Sequence, residues 1–208
     1  MLGKSMLDNL RRRGKTEPTV SAQGHYANGV ELVQEGSFAE ALEEFKQAIK
    51  GDPRNINTQL HAGFTYEQLG RPNHAIKAYL KVLEIQPDCV EAFKHIGLAY
   101  NSMGQFLKAL KMFIKAIGLA PSDLGLRNDL GSTYFQIGSY AEAIKAHEQA
   151  LRMDPDDSRA HYCLALVYLD LENKDFVLEE VKVLKQLNQA ALVSDLTDRI
   201  DKQFTRSW

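Results

Sequence analysis

Along residues 106–119 the apolar positions Phe106, Leu110, Phe113, Ile114 and Ile117 recur at three- and four-residue steps, which gathers them on one face of a helix. A second apolar run over residues 90–103 precedes it, with Gly104 and Gln105 between the two. The pattern predicts a helical hairpin that ends at the sequence APSD. Gly104 stands where a helix closes on a left-handed residue. Pro121 lies just past the second run, where a missing N–H no longer harms the helix. Gly97 is less easily placed, because an interior glycine costs a helix about 1 kcal/mol relative to alanine. With His95 two positions earlier, it poses a choice between a backbone approach to phosphate and close packing.

The rest of the chain decides this. Pro53, Pro87, Pro121 and Pro155 are 34 residues apart, and so are Gly29, Gly63, Gly97 and Gly131. Gly36, Gly70, Gly104 and Gly138 keep the same interval, as do Ala41, Ala75, Ala109 and Ala143. Tyr66, Tyr100, Tyr134 and Tyr168 carry it into a fifth unit. The chain therefore divides into units 22–55, 56–89, 90–123, 124–157 and a weaker 158–191, each a predicted helical hairpin. Glycines that recur with the period serve packing and the turn, not phosphate binding. Gly97 and Ala109 allow close approach of helices, while Ile96, Tyr100 and Phe113 are expected to fill space between hairpins.

These residues resemble a tetratricopeptide repeat protein, whose unit is a 34-residue helix–turn–helix. The third unit shows the motif best, in Ile96, Gly97, Tyr100, Gly104, Ala109, Phe113, Ala116 and Pro121. The resemblance implies an all-α fold, a right-handed superhelical solenoid of antiparallel helix–turn–helix repeats. Departures exist. The family's frequent tryptophan is replaced by His25, Gln59, Phe93, Arg127 and His161, and the fifth unit carries Ala165, Glu172, Val177 and Gln189 at motif positions. That unit is expected to be a degraded repeat or a capping pair. Residues 189–208 are expected to form a capping helix and tail, with Leu192, Leu196, Ile200 and Phe204 as its apolar stripe and a frayed Trp208 beyond.

The formal net charge of −2 offers no global case for nucleic acid. Charge is uneven, however: residues 1–21 hold Lys4, Arg11, Arg12, Arg13 and Lys15 against Asp8 and Glu17. The bland reading is a flexible basic leader. The sharper one is contact with an anionic membrane face or an acidic partner through a short amphipathic segment. Two cysteines, Cys89 and Cys163, cannot make a disulfide scaffold and suit a reducing compartment. With no apolar run of membrane-span length and no secretory leader, the expected setting is cytoplasmic, with peripheral membrane contact through the N-terminus as the variant.

The resemblance further implies that the first helix of each hairpin lines a concave groove through its second, fifth, ninth and twelfth positions. In the first unit these are Gln23, Tyr26, Val30 and Val33; in the second, Asn57, Leu60, Phe64 and Glu67; in the third, Glu91, Lys94, Leu98 and Asn101. The later units give Gly125, Asn128, Ser132 and Phe135, then Arg159, Tyr162, Leu166 and Leu169. Phe64, Lys94, Asn101 and Asn128 are expected to be exposed, and Leu98, Leu166 and Leu169 fit either the groove or the core. Apolar pockets flanked by asparagine amides suit an extended peptide or a partner helix. The carboxylate clamp of chaperone-binding relatives is excluded, because Leu98, Asp129 and Cys163 stand where that clamp needs asparagine or a basic side chain.

Other chemistry is poorly supported. His61, His95, Asp129 and Cys163 share the sixth position of successive units, yet packed helices lie ~8–10 Å apart and metal bonds are ~2.0–2.3 Å. No metal site, cofactor or small-molecule substrate is expected. No nucleotide-binding, zinc-protease or serine-hydrolase motif occurs, so the expectation is a protein that is not an enzyme. The first reading is a non-catalytic adaptor or scaffold that binds a peptide segment or helix in the groove. The alternative is a self-associating scaffold, with one copy's groove holding the N-terminal segment of the next. By family analogy it would serve a membrane or organelle surface, as in pilus, outer-membrane or magnetosome systems.

Overall fold

The computed structural model describes residues 20–204. Lys4, Arg11, Arg12, Arg13, Lys15 and Trp208, for which the sequence suggests a leader and a frayed tail, lie outside the described residues. Within them the chain forms five helical hairpins and one further helix, with no strand. The hairpins pair α1 (Ala22–Gln34) with α2 (Phe38–Gly51), α3 (Ile56–Gln68) with α4 (Pro72–Ile85), and α5 (Val90–Ser102) with α6 (Phe106–Leu119). They continue with α7 (Leu124–Gln136) and α8 (Tyr140–Met153), then α9 (Ser158–Asp170) and α10 (Lys174–Gln186), and α11 (Ala190–Phe204) closes the series. This is an all-α superhelical repeat.

Local chemistry sets each helix boundary. Four of the five first helices begin on a side-chain cap: Ser21, Asn55, Asp123 and Asp157 each accept a backbone N–H of the first turn. Within each of the first four hairpins the turn glycine is left-handed, with φ of 69° at Gly104. The Gly104 N–H bonds Asn101 O and the Gln105 N–H bonds Tyr100 O, each at 2.9 Å, which satisfies the last carbonyls of α5. In the fifth hairpin Glu172 takes the same place at φ 55°.

Between the helices of a hairpin, a ring from the second lies on a glycine of the first. A Cβ on Gly97 would stand 2.7 Å from Phe113 Cε1, and one on Gly63 2.5 Å from Tyr79 Cε1. Phe113 thus packs within its own hairpin against Gly97, and it also reaches the next through Leu126 and Leu130. The fifth hairpin has buried Val181 in place of the ring and buried Ala165 in place of the glycine, so both partners change together. The residue standing for the family's tryptophan ties the hairpin's open end: His25 to Glu44, Phe93 under the Lys115 ammonium, Arg127 to Gln149, and His161 to Glu180.

Each second helix is held between its own first helix and the first helix of the next hairpin. Successive first helices touch one another, whereas successive second helices do not. The first helices α1, α3, α5, α7 and α9 therefore make the inner, concave wall, and the second helices splay apart on the outside.

Candidate functional site

The inner wall is not uniform. At its N-terminal end Asn57, Leu60, Phe64 and Glu91 converge on a recess of about 280 Å³, completed by Val33, His61, Tyr79 and His95. Asn57 and Glu91 are exposed at the mouth, and Leu60 and Phe64 are half-buried. His61 donates from Nδ1 to the Asn57 carbonyl at 2.9 Å and stands edge-on to Tyr26, with ring centroids 5.4 Å apart. His95 stacks on Tyr79 at 5.2 Å and bonds Glu67 Oε2 through Nδ1 at 3.1 Å. Glu67 is thereby engaged beneath the recess rather than presented to it. Burial, and then the Glu67 carboxylate beside it, push the Tyr79 hydroxyl far above its ordinary pKa, so it stays protonated.

The sixth-position residues differ in type along the array, which speaks against one shared chemistry. Their common place in the repeat is nonetheless a signal, for it sets His61 and His95 side by side on the wall of one recess. Among the described residues, no three His, Cys, Asp or Glu side chains gather in a way that could hold a metal ion.

Toward the C-terminus the wall is closed by its own bonds. Asn128, expected to be exposed, is buried at 1%. Its Nδ2 donates to Asp157 Oδ2 and its Oδ1 accepts from His147 Nδ1 at 3.0 Å, so the amide is consumed inside the fold. Asn101 is half-buried and donates to Thr133 Oγ1 at 2.8 Å, linking α5 to α7. Arg159 reaches Asp129 at 2.6 Å, and Tyr162 donates to Asp195 at 2.6 Å on α11. Burial, with the Asp195 carboxylate next, pushes the Tyr162 hydroxyl up. Asp195 itself is lowered by its bonds to Arg199 and Tyr162. Ser132 lies 3.8 Å from Cys163 Sγ, and Phe135 packs near Tyr140. Leu169 belongs to the core at 5% exposure, and Leu98 and Leu166 are half-buried against it. Lys94 is half-buried, and its Nζ would lie 3.9 Å from a Cβ on Gly125. The sequence-nominated residues therefore fall into two groups: one gathers around a recess, and the other bridges neighbouring helices.

Models of the tetratricopeptide repeat match residues 32–96 and 90–123, and a TPR repeat model matches residues 131–171. Among solved structures, a crystal structure of MamA aligns with 90% of this chain and 96% of its own at 26% identity and a TM-score of 0.68. MamA from Desulfovibrio magneticus RS-1, from residue 41 to its end, covers 81% and 96% at 21% identity, with a TM-score of 0.75. A thermophilic TPR protein of Thermus thermophilus covers 86% and 99% at 22% identity, with a TM-score of 0.66. The last two, at that identity, speak to the fold alone. No curated protein sequence matches the chain. Among the described residues, no helix is long and apolar enough to cross a membrane. Repeat models over three stretches, hairpins on a 34-residue period and neighbours of the same build converge on one conclusion: the chain is a tetratricopeptide repeat protein, a scaffold for protein interaction from a family that is generally non-catalytic.

Proposed function

We propose that the chain is an adaptor that holds a peptide segment or helix of a partner protein on its inner wall, anchored at the recess between α1, α3 and α5. The observation that carries this reading is the convergence of Leu60 and Phe64 with exposed Asn57 and Glu91 around one concavity. An apolar side chain of the partner enters between Leu60, Phe64 and Val33. Asn57 bonds the partner's backbone, and Glu91 favours a donor or cation beside the anchor. The C-terminal half contributes less, because Asn128 is buried and Asn101, Arg159 and Tyr162 already bridge helices.

The test is a phage-displayed peptide library selected on the full chain, followed by binding of the enriched peptides to variants. Asn57→Ala with Glu91→Ala should abolish most of the binding and leave the thermal midpoint in place, since both side chains are exposed. Arg159→Ala should retain it. Peptides that bind the Asn57/Glu91 variant as well as the parent would place the contact elsewhere and overturn the reading.

A further inference from the structure

A larger cavity than the recess lies on the opposite side of the molecule. A cleft of about 800 Å³ opens between α2 and α4, two second helices that do not touch, with α3 as its floor. Its base is apolar, formed by Ile49, Ala62, Ala78 and Ile85. Its rim carries Lys46, Arg54, Lys77 and Lys81, opposed by the carboxylate of Glu84. Lys81 is bound to Glu84 at 2.7 Å, and Lys46 to Glu43 at 2.7 Å. Arg54 and Lys77 are exposed and have no side-chain partner among the described residues.

The repeat explains why the cleft exists. One unit later, the places of Gln59, Ala62 and Ala78 are taken by Phe93, Ile96 and Met112, all packed into the core. Arg127 and His161 span the corresponding places in the following two hairpins. Gln59 bonds its proline carbonyl, Pro53 O at 3.2 Å, as Arg127 and His161 do theirs, but unlike them it ties to no side chain of its second helix. The first junction is thus left open where the later ones are filled, and a void lined by apolar groups forfeits contacts that a guest could restore.

The same chain displays a surface of matching character at its other end. Around the turn between α9 and α10, Leu171, Phe176 and Leu178 are each 45–46% exposed. Phe176 is stacked on Tyr168 at 4.8 Å, which holds its ring in place at the surface. Between residues 170 and 179, Asp170, Glu172, Asp175 and Glu179 are exposed, against a single base, Lys174. Cationic rim and apolar floor at one end face an acidic, apolar ridge at the other.

We propose that the α2–α4 cleft of one copy receives the α9–α10 ridge of a second copy. Phe176 enters over Ala62 and Ala78, while Asp175 and Glu179 meet Arg54 and Lys77. The two surfaces differ and sit at opposite ends, so the contact is heterologous and leaves a free cleft and a free ridge after each addition. It uses neither the inner wall nor residues 1–19, so it stands apart from the peptide reading. Its strength falls with added salt, because the charged rim is exposed to screening.

The experiment uses two variants of the full chain, checked for helicity by circular dichroism. Arg54→Glu with Lys77→Glu damages only the cleft, and Asp175→Lys with Glu179→Lys damages only the ridge. By light scattering over a concentration series, the parent should grow beyond a dimer. Each variant alone should stay monomeric, and their equimolar mixture should grow again, because the parental cleft and ridge pair with each other and the reversed cleft and reversed ridge are complementary in charge. The four substitutions in one chain, with reversed but complementary charges, should restore growth. Ala62→Ile with Ala78→Met, which copies the next repeat, should abolish it without touching charge. A monomeric parent, variants that associate as the parent does, or a mixture that stays monomeric would each overturn the proposal. So would binding of the parent to phosphatidylglycerol vesicles through Arg54 and Lys77 without self-association, which would make the basic rim a lipid contact.

Discussion

In the third hairpin the ring of Phe113 lies on Gly97; in the fourth, the imidazole of His147 lies in the same place on Gly131, 2.7 Å from where a Cβ would be. Backbone and spacing are shared, but the surroundings are not. Phe113 is buried among Ala109, Ala116 and Leu126. His147, fully buried, donates from Nδ1 to Asn128, and Asn128 passes the bond to Asp157, the cap of α9. Its Nε2 is buried with no partner. The buried positions of α8 other than His147 are alanines. The repeat thus dictates the glycine and the turn, and leaves open whether the hairpin closes on an apolar ring or a polar relay. An apolar ring holds whatever the pH; a relay that ends on an unpartnered nitrogen does not.

Deleting the two rings should separate these cases most strongly. Phe113→Ala leaves a cavity in an alanine- and leucine-lined core and should cost about 3–5 kcal/mol. His147→Ala removes less apolar surface and should cost about 1–3 kcal/mol, mainly by stranding the Asn128 carbonyl. Urea unfolding followed by circular dichroism reads both. Equal losses would show that the fourth hairpin is held by its imidazole as firmly as the third by its phenyl ring.

Acid should distinguish them next. Burial, and then the Arg159 charge, lower the His147 pKa from 6.5 to about 4. Neutral His147 is therefore favoured by folding. Its contribution is complete above pH 6.5 and is lost as pH falls from 6.5 toward 4, where the unfolded chain binds the proton and the folded chain resists it. The full loss is about 3 kcal/mol, since each pKa unit between 6.5 and about 4 is worth about 1.4 kcal/mol. His147→Phe with Asn128→Lys rebuilds the fourth hairpin after the third. It should remove that part of the pH dependence, leaving the shallower slope of the carboxylates. An unchanged slope would mean that another group carries the acid sensitivity.

Period and residue type made the hairpins, the turns and most of the recess legible in the sequence. Gly97 and Gly104 explain themselves once their counterparts are seen 34 residues away, and Asn57, Leu60, Phe64 and Glu91 do meet. The expected exposure of Asn128 rests on its repeat position alone, which holds Leu60 and Lys94 in the preceding units. What buries it is His147 and Asp157, residues of other helices. The signal available was a histidine where the first three hairpins carry Phe45, Tyr79 and Phe113. A buried imidazole needs a polar neighbour, and Asn128 lies across the hairpin from it. The outer cleft was legible only as a lack, small residues at Gln59, Ala62 and Ala78 where the next unit is large, and a void leaves no motif.

The smallest expected effects concern the turns, where the third hairpin can be set against the fifth. Gly104 adopts φ 69° without a Cβ to crowd the next carbonyl, whereas Glu172 adopts φ 55° with one. For an L-residue the left-handed conformation costs roughly 1–2 kcal/mol, of which a glycine returns part through the greater freedom it loses on folding. Glu172→Gly should therefore stabilise the chain by about 0.5–1 kcal/mol, and Gly104→Ala should destabilise it by about 1 kcal/mol. Both changes leave the side-chain core alone, since nothing lies within 4 Å of a Cβ at Gly104. Thermal midpoints measured side by side would show opposite shifts. A destabilised Glu172→Gly variant would instead mean that the glutamate side chain holds the α9–α10 turn, the same turn that carries the acidic ridge.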